Sequence, residues 1–307
     1  NTDYVLLDQG TGCVHTAPGH GEDDYHAGLA NGLDIYSPVG PTGLFDETAG
    51  PYAGQHVFAA NGRIVADLEA AGRLLRKADF EHSYPHCWRC HKPVIFRATE
   101  QWFIAMDTAG LRQKALAEIG QVRWIPAWGE ERIANMIAGR PDWCISRQRS
   151  WGVPLPAFFC TKCQQPLIDS GAVEKTADLF ARYGSNVWFE RPAADFLPPG
   201  TTCPHCGGGE FEQGRDILDV WFESGSSHGI LEKYPRHNWP ADLYLEGGDQ
   251  YRGWFHSSLL VGVSAHGKAP YRTVITHGWV LDREGKTMHK SLGNAIEPQT
   301  IIRDKGA

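Results

Sequence analysis

Apolar residues recur at spacings of three and four over 58–73 (Ala59, Ala60, Ile64, Val65, Leu68, Ala71, closed by Gly72) and over 108–119 (Leu111, Ala115, Leu116, Ile119). Both patterns predict amphipathic helices. A shorter helix is expected over 23–30, opened by Asp23 and Asp24 and ended near Asn31 and Gly32. Elsewhere the apolar residues form short blocks. Blocks 4–7 and 13–17 alternate with Gly/Pro loops, so 1–60 reads as a β-rich unit. Blocks 217–222, 242–247 and 271–278 read as strands leading to polar residues, with a helix expected over 252–261. Strand, helix, strand with polar strand ends is the pattern of an α/β doubly wound sheet, whose ligand crevice lies at the C-terminal strand ends.

At 307 residues with 42% hydrophobic and 21% charged content, the chain can bury a core and is neither disordered nor collagen-like. Length alone favours about two domains, at roughly 150 residues each. Lys and Arg number 29 against 36 Asp and Glu, a net charge of −7, so no global positive field draws the chain to a polyanion. Contacts to nucleic acid must be local. No apolar run reaches the ~18 residues of a membrane helix, and the N-terminus has no signal-peptide pattern. The expectation is a soluble, cytoplasmic, monomeric protein without a membrane partner. The missing initiator Met and the uncapped end at 301–307 suggest a piece of something longer.

Eight cysteines are too few for a disulfide scaffold, but six fall in C-x-x-C pairs. Cys160/Cys163 and Cys203/Cys206 lie in loop-rich sequence between Pro154-Leu155-Pro156 and Gly207-Gly208-Gly209. Two such turns complete a tetrahedral zinc site, and a redox dithiol would normally occur only once beside a βαβ pattern. The third pair, Cys87 and Cys90, has no second C-x-x-C to join. It is either buried thiols or half of a zinc site whose other half lies upstream.

The most specific stretch is Gly285-Lys286-Thr287-Met288-His289-Lys290-Ser291-Leu292-Gly293-Asn294. It resembles the KMSKS loop of class I aminoacyl-tRNA synthetases. Trp143-Cys144-Ile145-Ser146-Arg147-Gln148-Arg149, Asp219-Val220-Trp221-Phe222-Glu223-Ser224-Gly225 and Tyr244-Leu245-Glu246-Gly247-Gly248-Asp249-Gln250-Tyr251-Arg252-Gly253-Trp254-Phe255 are similar to the branched-aliphatic subgroup. His15-Thr16-Ala17-Pro18-Gly19-His20 and Ser83-Tyr84-Pro85-His86-Cys87-Trp88-Arg89-Cys90 look like its isoleucyl members, with valyl specificity the rival and a non-catalytic zinc-ribbon RNA-binding module a further one. The loop departs from the family at Thr287 and His289, where the first Lys and first Ser stand, and no HIGH-type ATP motif occurs.

The resemblance implies the second half of a Rossmann-like catalytic domain (211–307), a zinc-binding insertion (160–210), a connection (96–159) and the distal part of a β-rich editing domain (1–95). It implies ATP with Mg²⁺, L-isoleucine and tRNA(Ile) as substrates, and hydrolysis of mistaken valine. By itself this chain is not expected to activate isoleucine. Lys290 would contact ATP phosphates. Glu246 would bind the aminoacyl-adenylate or merely cap a turn. Asp249 and Gln250 would bond amino-acid or ribose groups. Trp221 and Trp254 would wall the isoleucine pocket or pack in the core. In the editing half, His15 would orient substrate or water, and Asp24 would hold the α-ammonium or cap a helix. Arg140, Arg147 and Arg149 beside Trp143 and Trp151 form a local basic, aromatic surface for the tRNA acceptor end, or structural ion pairs.

Overall fold

A computed structural model describes residues 4–6, 8, 12–79, 81–87, 90–233, 239–289 and 292–306. The chain divides into two compact units, Asn1–Glu100 and Gln101–Ala307.

In the first unit, α1 (Glu22–Asn31) carries Glu22, Asp23 and Asp24 in its first turn, where carboxylates offset the positive helix end. It stops at Gly32, which takes φ 65° and returns its N–H to Gly28 and Leu29. The second helix, α2 (Val57–Ala70), is capped by His56, whose ring accepts from Phe58 N–H at 3.4 Å. The β-rich expectation for 1–60 is corrected here. Among the described residues this unit holds single bridges, Val39 with Phe45, Leu44 with His56 and His86 with Pro93, and no longer strand. The turn Gly40-Pro41-Thr42-Gly43, with Gly43 at φ 77°, brings Val39 to Phe45, and pairing ends there because the Asp46 carboxylate accepts Thr48 N–H and starts a short 3-10 helix over Glu47–Tyr52.

The second unit runs β1 (Phe103–Ile104), α3 (Leu111–Ile119), β2 (Arg123–Ile125), α4 (Trp128–Ala138), β3 (Trp143–Cys144), β4 (Ser146–Arg147), β5 (Phe158–Cys160) and β6 (Pro166–Leu167). It continues with α5 (Ser170–Tyr183), α6 (Val187–Glu190), β7 (Phe211–Gln213), β8 (Ile217–Leu218), α7 (Val220–Gly225), α8 (Ile230–Lys233), β9 (Tyr244–Gly247), α9 (Trp254–His266), β10 (Thr273–His277) and α10 (Pro298–Lys305).

Three strands form a parallel sheet in the order β2-β10-β9, with Thr276 opposite Glu246 and Ile275 opposite both Leu245 and Ile125. The α9 crossover joins β9 to β10, the βαβ unit the apolar blocks imply. Eight residues of α9 are buried, among them Phe255, Leu259, Leu260 and Val263, so this helix is apolar around most of its circumference because the core surrounds it. Met106, Leu111 and Ile119 of the α3 region and Ile133 and Ile137 of α4 join the same core. A separate core, Phe158, Trp188 and Phe196 with ring centroids 5.0–5.1 Å apart, holds the cysteine-bearing segment and its β6-β5-β7 sheet.

Three expected elements are redrawn. Gly110, in the left-handed region at φ 68°, starts α3 at Leu111 and not at 108. The block 217–222 is only two residues of strand, pairing antiparallel with β4 outside the parallel sheet; the Asp219 carboxylate then accepts Trp221 N–H and turns the chain into α7. The helix expected from 252 begins at Trp254, after Gly253 in a non-helical conformation.

Candidate functional site

The C-terminal ends of β9 and β10 lie side by side, Thr276 opposite Glu246 and His277 opposite Gly247. Glu246 is exposed there, opposite Thr276, and Asp249 is exposed on the following turn. Tyr251 is fully buried; its hydroxyl lies 2.9 Å from Thr276 Oγ1, and the Arg132 guanidinium stands 5.1 Å over its ring. Gly129 lets Tyr251 approach, since a Cβ there would meet the hydroxyl head-on. Gln250 serves the backbone: its carbonyl accepts Trp254 N–H at 2.8 Å and starts α9, while its amide donates to Asp249 at 3.2 Å. Trp254 is stacked on Tyr244 at 3.8 Å and donates its indole N–H to Ser224 O and Ser227 Oγ. Trp221 is 42% exposed and rests on Gly253, where any Cβ would collide with its ring.

Beside Trp221 lies a cavity of about 330 Å³ lined by Arg140, Trp143, Arg147, Asp219, Arg252 and His256. Asp219 organises it. This buried carboxylate receives Trp143 Nε1–H at 3.0 Å and pairs with Arg147 at 3.0 Å, while Arg147 also donates to the Cys144 and Ser146 carbonyls. Arg147 is therefore held as a structural ion pair. Arg140 sits 5.3 Å over the Trp143 ring, its Nε is buried without a partner, and burial lowers its pKa. His256 Nδ1 lies 3.2 Å from the Tyr251 carbonyl; burial, then the Arg140 charge, bring its pKa down to about 4. Arg149 and Trp151 are exposed.

After β10 the chain forms a hairpin closed by two residues that the sequence pattern did not single out. The Asp282 carboxylate accepts Glu284 N–H and Lys286 N–H at 2.9 Å and the Asn294 amide at 2.7 Å; Asn294 also accepts His289 N–H at 2.9 Å and donates to Thr287 O. The Asn294 bond leads the causes that lower the Asp282 pKa. Thr287 Oγ1 and His289 Nε2 lie 3.2 Å apart, and Lys286 pairs with Glu284 at 2.8 Å. Lys290 lies outside the described residues. The signal for Asp282 was available as an Asx-turn residue opening the loop, whereas Asn294 reaches back 5 to 12 residues to its partners.

Cys160, Cys163, Cys203 and Cys206 converge: their sulfurs all lie within 4.8 Å of one another, with Cys160 to Cys206 at 3.5 Å and Cys163 to Cys203 at 3.6 Å. Four sulfurs about 2.3 Å from a tetrahedral centre stand about 3.8 Å apart, so the donor set fits a thiophilic divalent ion. Two matching turns build it. Cys160 O accepts Gln164 N–H and Cys203 O accepts Gly207 N–H, both at 2.8 Å, and Gln164 and Gly207 take φ 58° and 71°. The Cys163 backbone N–H leads the causes that lower the Cys160 pKa to about 7. The Gln165 N–H lowers that of Cys163, but burial and the three neighbouring sulfurs push it up to about 12. Cys87 and Cys90 repeat the turn in the first unit, with His91 N–H donating to Cys87 O at 2.8 Å and His91 at φ 56°.

In the same unit the Asp24 carboxylate accepts Ala17 N–H at 2.9 Å, tying α1 to the segment that carries His15. His15 is exposed and lies in no strand. No helix among the described residues is long and apolar enough to cross a membrane.

Residues 22–307 match the family described as tRNA synthetases class I (I, L, M and V). The chain is 56% identical over 306 residues to an isoleucine–tRNA ligase of Syntrophotalea carbinolica and to one of Geobacter sulfurreducens, covering 99% of this chain and 33% of each relative. It thus spans about a third of the length of the curated relatives it matches. A methionyl-tRNA synthetase of Mycobacterium tuberculosis, in complex with methionyl-adenylate, is 17% identical over 72% of this chain and 34% of its own, with a TM-score of 0.42, too slight a likeness to carry an argument.

Proposed function

The chain belongs to the class I tRNA synthetases of the I, L, M and V group, and on that premise we propose that it works as part of an isoleucine–tRNA ligase. The observation that carries the reading is the 56% identity to isoleucine–tRNA ligases along almost the whole chain. Residues 211–307 then supply the second half of the catalytic domain, 160–210 a zinc-binding insertion, 96–159 a connection and 1–95 part of an editing domain.

The reaction joins the isoleucine carboxylate to the α-phosphate of ATP with release of pyrophosphate, then passes the acyl group to a terminal ribose hydroxyl of tRNA(Ile) with release of AMP. Such chemistry needs positioning and electrostatics, with no protein nucleophile. Glu246 binds the aminoacyl-adenylate through its carboxylate at the end of β9, and Asp249 adds a second acceptor for amino-acid or ribose groups. Gln250 shapes the wall by starting α9, and Trp221 lies against the apolar side chain with Trp254 behind it. Lys290 contacts the ATP phosphates, and Mg²⁺ accompanies ATP. Arg140 and Arg149 face the tRNA acceptor end. The four cysteines hold zinc, and Cys87 with Cys90 supplies half of a second site.

Editing follows from magnitude. One methylene is worth about 1–3 kcal/mol in an apolar pocket, too little to exclude valine, so His15 and Asp24 serve a second, hydrolytic sieve. The test is amino-acid-dependent ATP–pyrophosphate exchange by the complete natural polypeptide. Isoleucine is expected to outrank valine, and Glu246→Gln to lower kcat/KM for isoleucine roughly ten- to a hundredfold, the worth of a hydrogen bond to a charge. Preferred exchange with valine or leucine would refute the assignment.

A further inference from the structure

A second group of metal-ligating side chains lies away from the cysteines. His228 sits in the turn after α7, Glu232 on α8, and His266 is the last residue of α9. One donor atom from each lies within 4.8 Å of the other two, and His266 Nε2 is 3.0 Å from Glu232 Oε1. Trp239 packs on His266 with ring centroids 4.5 Å apart.

The 3.0 Å contact satisfies Glu232 and His266 but leaves His228 unexplained. That residue is 4% exposed, its Nδ1 receives the Trp239 indole N–H at 3.2 Å, and its Nε2 is buried with no partner. An indole can only donate, so Nδ1 accepts and the ring proton resides on Nε2. A buried N–H without an acceptor is costly, and a native protein seldom leaves one in place without a use for it.

We propose that His228, Glu232 and His266 form a three-ligand site for a divalent transition-metal ion of the zinc class, completed by water. Two imidazoles and one carboxylate suit zinc, cobalt or nickel and disfavour magnesium and calcium, which take oxygen ligands. Binding shifts the single His228 ring proton from Nε2 to Nδ1, so the ring stays neutral. Nε2 then faces the ion, and Trp239 gives up one hydrogen bond, a minor loss beside coordination. The bound ion ties the C-terminal end of α9 to the turn between α7 and α8.

The test uses the complete natural polypeptide with its tightly held zinc left in place, titrated with Co²⁺ and compared with Glu232→Gln and His266→Ala. Both substitutions lie at solvent-accessible positions and avoid the buried His228. The expected result is one additional cobalt equivalent in the unaltered protein, with visible d–d bands and no thiolate charge transfer. Affinity for it should fall about tenfold or more in each variant, and the cobalt-induced rise in Tm should disappear. Equal uptake by all three proteins, or thiolate bands on the additional cobalt, would overturn the site.

Discussion

Burial keeps the His256 imidazole neutral down to about 4, where an exposed histidine gains its proton near 6.5. Between those values the unfolded chain binds more protons than the folded one, so stability is complete above about 6.5 and declines as pH falls toward 4. The expected loss reaches about 3 kcal/mol. Urea unfolding of His256→Asn across this range should show a flatter pH dependence than the unaltered protein, and superimposable slopes would reject the assignment. In the sequence His256 is only a polar residue in a predicted helix; the core that buries it and the Arg140 charge arrive from other segments. Asp282 and Asn294 are similar. Asp282→Ala removes acceptors from two backbone N–H groups and one amide, so the hairpin should open. ATP–pyrophosphate exchange should drop by roughly tenfold with KM for ATP affected most, at the cost of about 1–2 hydrogen bonds. An unchanged KM would separate the hairpin from ATP binding.

Among elements, the cysteine turns were the most readable, because the spacing within C-x-x-C sets the local geometry by itself. Pairing Cys160 with Cys206 across the site required the β5-β7 sheet and the Phe158, Trp188 and Phe196 core that bring the turns together. Metal analysis of the Cys160→Ser, Cys203→Ser double variant should find one zinc fewer per chain, and unchanged content would reject the four-sulfur site. Reading 217–222 as one strand failed for a local reason. Apolar blocks do not reveal that Asp219 caps the helix following it, and α7 then packs so closely on α9 that a Cβ at Gly225 would strike the Ser257 backbone.

For the molecule as a whole, the chain spans about a third of the length of its relatives, and the proposed reading divides it between a synthetic and an editing half. If the editing assignment holds, His15→Ala or Asp24→Ala should leave isoleucine activation intact while valyl-tRNA accumulates, since the synthetic pocket alone discriminates only about 10–200-fold. Valyl-tRNA levels matching the unaltered protein would remove both residues from editing. The net charge of −7 excluded a global attraction to RNA and left room for patches such as Arg140 and Arg149.

Sequence alone determined the family, the βαβ order around α9, the helices α1 to α3 to within a few residues, and the two zinc-type turns, because each rests on local spacing. Tertiary structure decided which polar residues remain available for chemistry. Arg147 stands in a motif position, yet Asp219, distant in sequence, holds it, and Gln250 is taken up by the neighbouring Asp249 and the first turn of α9. Asp282, His256 and the His228, Glu232, His266 group stand out only once packing strips away solvent and brings donors within reach.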